Sequence, residues 1–463
     1  MIIFSLFVAP VEAKFINSFI IHIGGDTLQS EDITGAAKHD IIFAQRFHYN
    51  DVGGDSWAAI KAINPDAKIY IYTMTTISDS DTACVALSNY TVSRYDDDCG
   101  HSQGDLNTDN PDYFMMDGDS RVTYSSDASR YLLDFADSGF RDYGIEAIIT
   151  DNVGQSFTAD GVFSDHVEAR ITGYTDSSPD GHTNTTWNTA MNLYITAMTE
   201  ALHDEGLLFA GNRGPLRWED EIAYDAWLAQ DQSAYPMDVA LDEAWVADSS
   251  GTGDVQYHNP DQWVILVNTL RDMDNTKVCV FAHTDLEPGE SGTDNYTDSF
   301  TFWDALWYSM GSYLIGKNEL GNSYFNFQGR GGTSDGKDYN APDVYYDEYD
   351  YLDLGAAVGE YTANYDGNND IFMREFANGY VFVNSGIAND ASITLPEDCR
   401  EITHATITTA WENLDVSAAT FSLDRHRAKI FIKETSVGPS ILPSISVGTN
   451  QITVGTNQIE IVE

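Results

Sequence analysis

Apolar positions along this chain gather into short runs, each closed by polar residues, and most runs are separated by segments with helical spacing. They are Phe19-Ile20-Ile21-His22-Ile23, Ile41-Ile42-Phe43-Ala44-Gln45, Lys68-Ile69-Tyr70-Ile71-Tyr72-Thr73, Ile148-Ile149-Thr150-Asp151-Asn152, Leu207-Leu208-Phe209-Ala210-Gly211, Met237-Asp238-Val239-Ala240-Leu241-Asp242, Val278 to Ala282, and Ser323-Tyr324-Phe325-Asn326-Phe327. Short, nearly continuous apolar runs bounded by turn residues are what strands covered on both faces require. Between them, helices are expected around Glu31 to His39, from Trp57 to a stop at Pro65, over Ala128 to Gly139, over Trp187 to Glu205 with Leu193, Ala197 and Leu202 inward, over Pro260 to Asp272, and from Phe302 to Met310. Such alternation without a second plausible sheet predicts an α/β chain folded as a (β/α)8 barrel rather than an open doubly wound sheet.

From about Pro342 the period shortens to two. Tyr380 to Asn384, Ala391 to Leu395, Thr403 to Thr408 and Ala428 to Ile432 alternate, and Asn378-Gly379 is a hairpin signal. A smaller antiparallel, β-sandwich-like domain is therefore expected over 342–436, after a barrel over 14–341. Residues 447–452 and 454–459 repeat Val-Gly-Thr-Asn-Gln-Ile, so 437–463 reads as a repeat-bearing tail or linker. Residues 1–13 resemble an export leader with a small-residue cleavage site after Ala13, although a basic start is missing. The expected location is secreted or extracellular, including attachment to a virion. No later run is long enough to span a bilayer.

Charge narrows the partners. Acidic residues number 73 against 23 Lys and Arg, for a formal net charge of -50. Such a surface repels nucleic acid and anionic membranes, and it suits a salt-rich medium in which screening relieves self-repulsion. Cys84 and Cys99 flank one polar loop and are candidates for a disulfide, whereas Cys279 sits in an apolar run as a buried thiol. A long polar excursion from about Thr75 to Ser126 leaves the third run, toward the end where barrel enzymes do their chemistry.

That chemistry belongs at the C-terminal ends of the strands. Asp151 is expected to end strand four and Glu243 strand six, where two carboxylates can flank one glycosidic bond. Asp151, beside the amide donor of Asn152 and within the same rim as Arg213, suits the nucleophile; Glu243, next to Trp245, suits the acid. Asp242, Asp285 and Glu287 compete for these roles. Gln45, His48, Tyr49, Tyr72, Asn152, Asn212, Arg213, Trp245, His283, Asp285, Asn326 and Gln328 fall at or just past strand ends, and they carry the amides, carboxylates and aromatic faces that bind sugars. No cofactor is required, and no catalytic metal is assigned. Structural calcium is conceivable at Asp117-Gly118-Asp119 or Asp366 to Asp370, though neither is a full calcium loop. Two other readings stay open: a non-catalytic carbohydrate-binding or virion adhesion protein, and a metal-dependent barrel hydrolase using His283 and Asp285 with His22 or His48.

The stretches Ile60 to Tyr70, Gly144 to Asn152, Leu208 to Asn212 and Asp238 to Glu243 resemble the glycoside hydrolase-like families of bacteria and phages, especially hypothetical glycosyl hydrolase family fifteen. The resemblance implies hydrolysis of a polysaccharide or oligosaccharide with retention, Asp151 as nucleophile and Glu243 as acid/base. It leaves open the sugar, the linkage, endo or exo action and the oligomeric state. The long insertion before strand four and Arg213-Gly214-Pro215 after strand five depart from the family pattern.

Overall fold

A computed structural model of the chain describes residues 14–22, 28–45, 54–79, 110–125, 127–153, 158–175, 179–214, 221–248, 254–330, 344–386 and 390–434, with short pieces between 95 and 107 and position 388. The leader, Cys84, Cys99 and the repeat-bearing tail lie outside the described residues.

Eight parallel strands form one sheet in chain order: β1 (Phe19–His22), β2 (Ile41–Ala44), β3 (Lys68–Met74), β4 (Gly161–Asp165), β5 (Leu208–Asn212), β6 (Val239–Asp242), β7 (Lys277–His283) and β8 (Ser323–Gln328). A parallel bridge from Ser18 to Phe325 joins the first strand to the last. The result is the (β/α)8 barrel that the spacing predicts. Helices α1 (Ser30–Ala36), α2 (Ser56–Ile63), α3 (Ser138–Ala147), α4 (Asn184–Asp204), α5 (Glu221–Asp231), α6 (Pro260–Asp272) and α7 (Phe302–Gly316) fall between the strands. Side chains of Asp55, Asp137, Thr183, Asn259 and Thr301 accept the first free N–H groups of five of these helices, which fixes where each begins.

Strand alternation decides which side chains reach the interior. Ile20, Ile42, Ala44, Ile69 and Ile71 pack against Ile33, Trp57 and Ile60 of α1 and α2, so they face outward. Their neighbours Phe19, Ile41, Phe43, Tyr70 and Tyr72 belong to the main core. Across the interior, Phe43 stacks on Phe163 with ring centroids 4.3 Å apart. This aromatic plug fills the barrel beneath the rim, as layered side chains do in such barrels.

Strand four is not where the apolar run placed it. Ile148–Val153 continues α3 as a π-helical stretch, and β4 begins only at Gly161, paired in parallel with β3 and β5. The physical reason is visible in the burial: Phe140, Gly144, Ile145 and Ile148 recur at helical spacing, and a short apolar run can serve either structure. Asp151 and Asn152 thus lie in a helix ahead of strand four. Residues 127–132, expected in a helix, form an antiparallel strand paired with Ile77–Asp79 and Thr123–Tyr124. In α4, Leu193 points to solvent, and Trp187, Met191, Tyr194, Ile195, Met198 and Leu202 form the buried face instead.

Beyond the barrel, an antiparallel sheet runs β9 (Thr362–Ala363), β10 (Ile371–Glu375), β11 (Gly379–Asn384), β15 (Arg427–Lys433) and β13 (Cys399–Ile402) in spatial order. A two-stranded ladder of β12 (Asp390–Thr394) and β14 (Thr420–Leu423) covers one face through Ile393, Leu395 and Leu423. The other face, with Val381, Val383, Ile430 and Ile432, joins the main core against α7. Contact there is close: a Cβ on Gly311 of α7 would come within 2.5 Å of the Ala428 methyl group. Thr403 to Thr408, expected as a strand, instead contains a 3-10 turn in which Thr403 and Thr406 cap each other. Cys279 and Cys399 are buried free thiols.

Candidate active site

The interior face of the sheet carries its polar side chains at the C-terminal rim. Asp165 ends β4 and Glu243 follows the last residue of β6. Each acid is followed by a residue in the left-handed region, His166 at φ 58° and Ala244 at φ 60°. Non-glycine residues are disfavoured there, by roughly 1 kcal/mol or more, and such strain gathers at functional sites. Both strands therefore turn sharply straight after an acid.

Between the two acids stands Asn212, the last residue of β5. Its Nδ2 donates to Asp165 Oδ1 at 2.9 Å and to Glu243 Oε2 at 2.9 Å. Its Oδ1 accepts the Gly214 N–H at 3.0 Å, which fixes the amide the right way round. Gly214 can take this position because it has φ 74° and no side chain; a Cβ would lie 2.2 Å from Glu168 Cγ. Two bonds laid end to end bound the separation, so the bridged carboxylate oxygens lie within about 6 Å of each other. The other oxygen of Asp165 accepts from the Tyr72 hydroxyl at 2.8 Å, and Asp165 Oδ1 also accepts the His166 N–H.

Electrostatics separate the acids. Glu243 reaches solvent yet is crowded by protein. Burial and the charge of Asp165 push its carboxyl upward, against the Asn212 bond and the charges of His283 and His166. His166 sits 3.6 Å from Asp165 and 3.9 Å from Glu168. Burial works against its protonation, but Asp165, Glu168 and Glu243 outweigh that and raise it to about 9. A cation thus stands beside Asp165 at neutral pH.

The remaining expected site residues divide. Gln45, Asn326 and Gln328 are buried on the interior face, and Asn326 has neither amide atom hydrogen-bonded. His283 ends β7, stacks on Phe281 at 5.1 Å and bonds Asp248 at 3.0 Å. Asp285 is half-buried just beyond it. Arg213 does not face the cleft: it is buried, and its guanidinium donates to Val167 O and Asn192 Oδ1. Trp245 is wholly buried, so its indole forms core rather than a sugar platform, and Glu243 owes its shift to burial and Asp165. Asp242 is buried on the strand face opposite Glu243. His48 and Tyr49 lie outside the described residues, as do the side chains of His22, Asp151 and Asn152. Among the described residues, no three His, Cys, Asp or Glu side chains gather as a metal site, and no helix is long and apolar enough to cross a membrane.

Asp165, His166 and Glu168 are absent from the expected site because the mostly apolar stretch Ile145 to Ile149 mimics the fourth strand one segment ahead of it. The signal was Gly161-Val162-Phe163-Ser164-Asp165, an apolar run closed by an acid, shorter and more polar than its competitor.

A closed parallel barrel with two acids meeting over its C-terminal end is the framework of a glycoside hydrolase-like protein. In sequence, residues 61–380 match the family described as hypothetical glycosyl hydrolase family 15, and the chain belongs to it. No curated protein matches the sequence. Among solved structures, the chain is similar to a noncanonic maltogenic α-amylase from Thermotoga neapolitana, at 10% identity and TM-score 0.43 over 91% of this chain and 97% of that one. It is similar also to a GH36 α-galactosidase from Geobacillus stearothermophilus in complex with raffinose, at 10% identity and TM-score 0.42 over 90% and 55%. A third is Ega3 of Aspergillus fumigatus in complex with galactosamine, at 12% identity and TM-score 0.36 over 69% and 93%.

Proposed function

We propose that the protein hydrolyses glycosidic bonds of an oligosaccharide or polysaccharide by double displacement, with Asp165 as nucleophile and Glu243 as acid/base. The nucleophile role expected of Asp151 passes to Asp165, the acid that ends β4. One observation carries the reading: two carboxylates, of which Glu243 is pushed up by burial and by its neighbour, share the two hydrogens of one amide over the barrel mouth. Their oxygens lie within about 6 Å, which is the spacing of retaining enzymes and leaves no room for a water between acid and base.

In the first step Glu243 gives its proton to the glycosidic oxygen, while Asp165 Oδ attacks the anomeric carbon and the C–O bond to the leaving sugar breaks. In the second, Glu243 takes a proton from water, the water oxygen bonds the anomeric carbon, and the ester to Asp165 breaks. His166, 3.6 Å from Asp165, sets an imidazolium beside the attacking carboxylate. His283 and Asp285, both half-buried, are the groups available to sugar hydroxyls, with Gln45, Asn326 and Gln328 on the interior face beneath them.

Incubation with a panel of marine and bacterial polysaccharides, read by released reducing ends and then by NMR of the newborn anomer, tests this. Release with retained configuration is expected; inversion would remove the covalent step. Glycan binding without release would instead favour the adhesion reading.

A further inference from the structure

We propose that Asn212 is a positioning residue that spans Asp165 and Glu243 and holds them at the distance the two-step reaction needs; this rests on the reading of the two acids given above. The geometry commits the amide fully on its donor side. Each Nδ2 hydrogen goes to a different carboxylate at 2.9 Å, and Oδ1 is held by the Gly214 N–H. Asn212, expected to meet substrate, has no donor left for a hydroxyl. It is also buried at 5% exposure, between the strands that carry the acids.

Such a bridge couples the two protonation states. With Glu243 neutral, one amide hydrogen faces a weaker acceptor; when Glu243 loses its proton, that bond strengthens and offsets part of the repulsion from Asp165. The groups facing Glu243 are Asp165 and His166 from the end of β4, Asn212 from β5, and His283 from β7 with Asp248 behind it. Burial and Asp165 raise the Glu243 carboxyl; Asn212, His283 and His166 lower it. Removing Asn212 takes away the only neutral one of the three lowering groups.

The test is Asn212→Ala, with Asn212→Ser alongside because a hydroxyl is too short to reach both acids and serves if the alanine variant does not fold. Two readouts are taken. The first is the pH profile of kcat/KM: Glu243 must be protonated to act as acid, so the alkaline limb should move up by about one pH unit while the maximum falls about 100-fold. The second is carbon-13 NMR titration of the Glu243 carboxyl without substrate, compared with the Glu243→Gln spectrum for assignment, which should show the same upward move. A variant whose profile and titration superimpose on the natural protein, with rate alone reduced, would overturn the proposal and leave Asn212 a packing residue. The titration reads the bridge without turnover. Activity surviving in Asp165→Asn would sink the assignment of the acids, whereas an unmoved titration would sink the bridge alone.

Discussion

Two sets of acids, one in the cleft and one along the seam between the barrel and the C-terminal sheet, are treated in opposite ways. At the seam, Asp298 and the carbonyls at the end of α7 have cations of their own, and Asp294 has backbone N–H donors. Asp294 is held below the usual carboxylate range: burial alone would raise it, but His426 and the backbone N–H groups of Tyr296 and Asp298 more than compensate. Arg425 pairs with Asp298, and Arg427 donates to Ser299 O at 2.8 Å. Arg374, at 3% exposure, donates to the carbonyls of Leu314, Ile315 and Lys317 at the end of α7. At the barrel mouth, by contrast, Asp165 and Glu243 share the Asn212 amide, Asp165 and Glu168 share the His166 imidazole, and Glu243 is raised. Paired charge ties two parts of a fold together, whereas a carboxyl crowded by a second one is pushed toward its protonated form.

Breaking the cleft should cost activity and spare stability. Glu243→Gln is expected to lower turnover about 1,000-fold or more, with a melting temperature equal to or above that of the natural protein, because one of two repelling carboxylates is gone. Calorimetry beside a reducing-end assay checks both halves. Breaking the seam should do the reverse. Arg374→Leu leaves several α7 carbonyls without a donor and should cost about 3 kcal/mol in chemical denaturation, with kcat/KM unchanged at temperatures where the variant is folded.

A pH test sharpens the contrast further. His39, wholly buried, donates from Nε2 to Val344 O and accepts from Ser18 Oγ, tying the barrel to the segment that follows it. Burial lowers its pKa from 6.5 to about 3, so the unfolded chain takes up a proton that the folded one refuses. Stability from this site is present above pH 6.5 and is lost as pH falls toward about 3, by about 2 kcal/mol at about pH 5. His39→Gln should flatten that acid limb in urea titrations. The smallest effect concerns the whole surface: at a net charge of -50, added NaCl should raise the melting temperature, and a flat or falling series would refute the screening argument.

How much of this was legible in the sequence follows from what each element depends on. Seven barrel strands announced themselves because each carries its own apolar run and polar stop, as Lys68 to Thr73 and Val278 to Ala282 do. Glu243 was legible for the same reason. The fourth strand was not, because Ile145 to Ile149 has the length of a strand and the spacing of a helix, and only its packing against Phe140 and the neighbouring core settles which. Arg213 and Trp245 sit at strand ends as sugar-binding residues would, and burial separates them from His283 and Asp285 only once the chain is folded over them. Local spacing reports the period of an element; which way a residue just past its end turns depends on backbone geometry such as the left-handed turns at His166 and Ala244.

The central claim is most directly tested by comparing Asp165→Asn with Asp151→Asn on a polysaccharide that the natural protein cleaves. The account predicts that the first variant folds and releases almost no reducing ends while the second cleaves at close to the natural rate. Near-natural cleavage by Asp165→Asn, or silence in a folded Asp151→Asn, would contradict it.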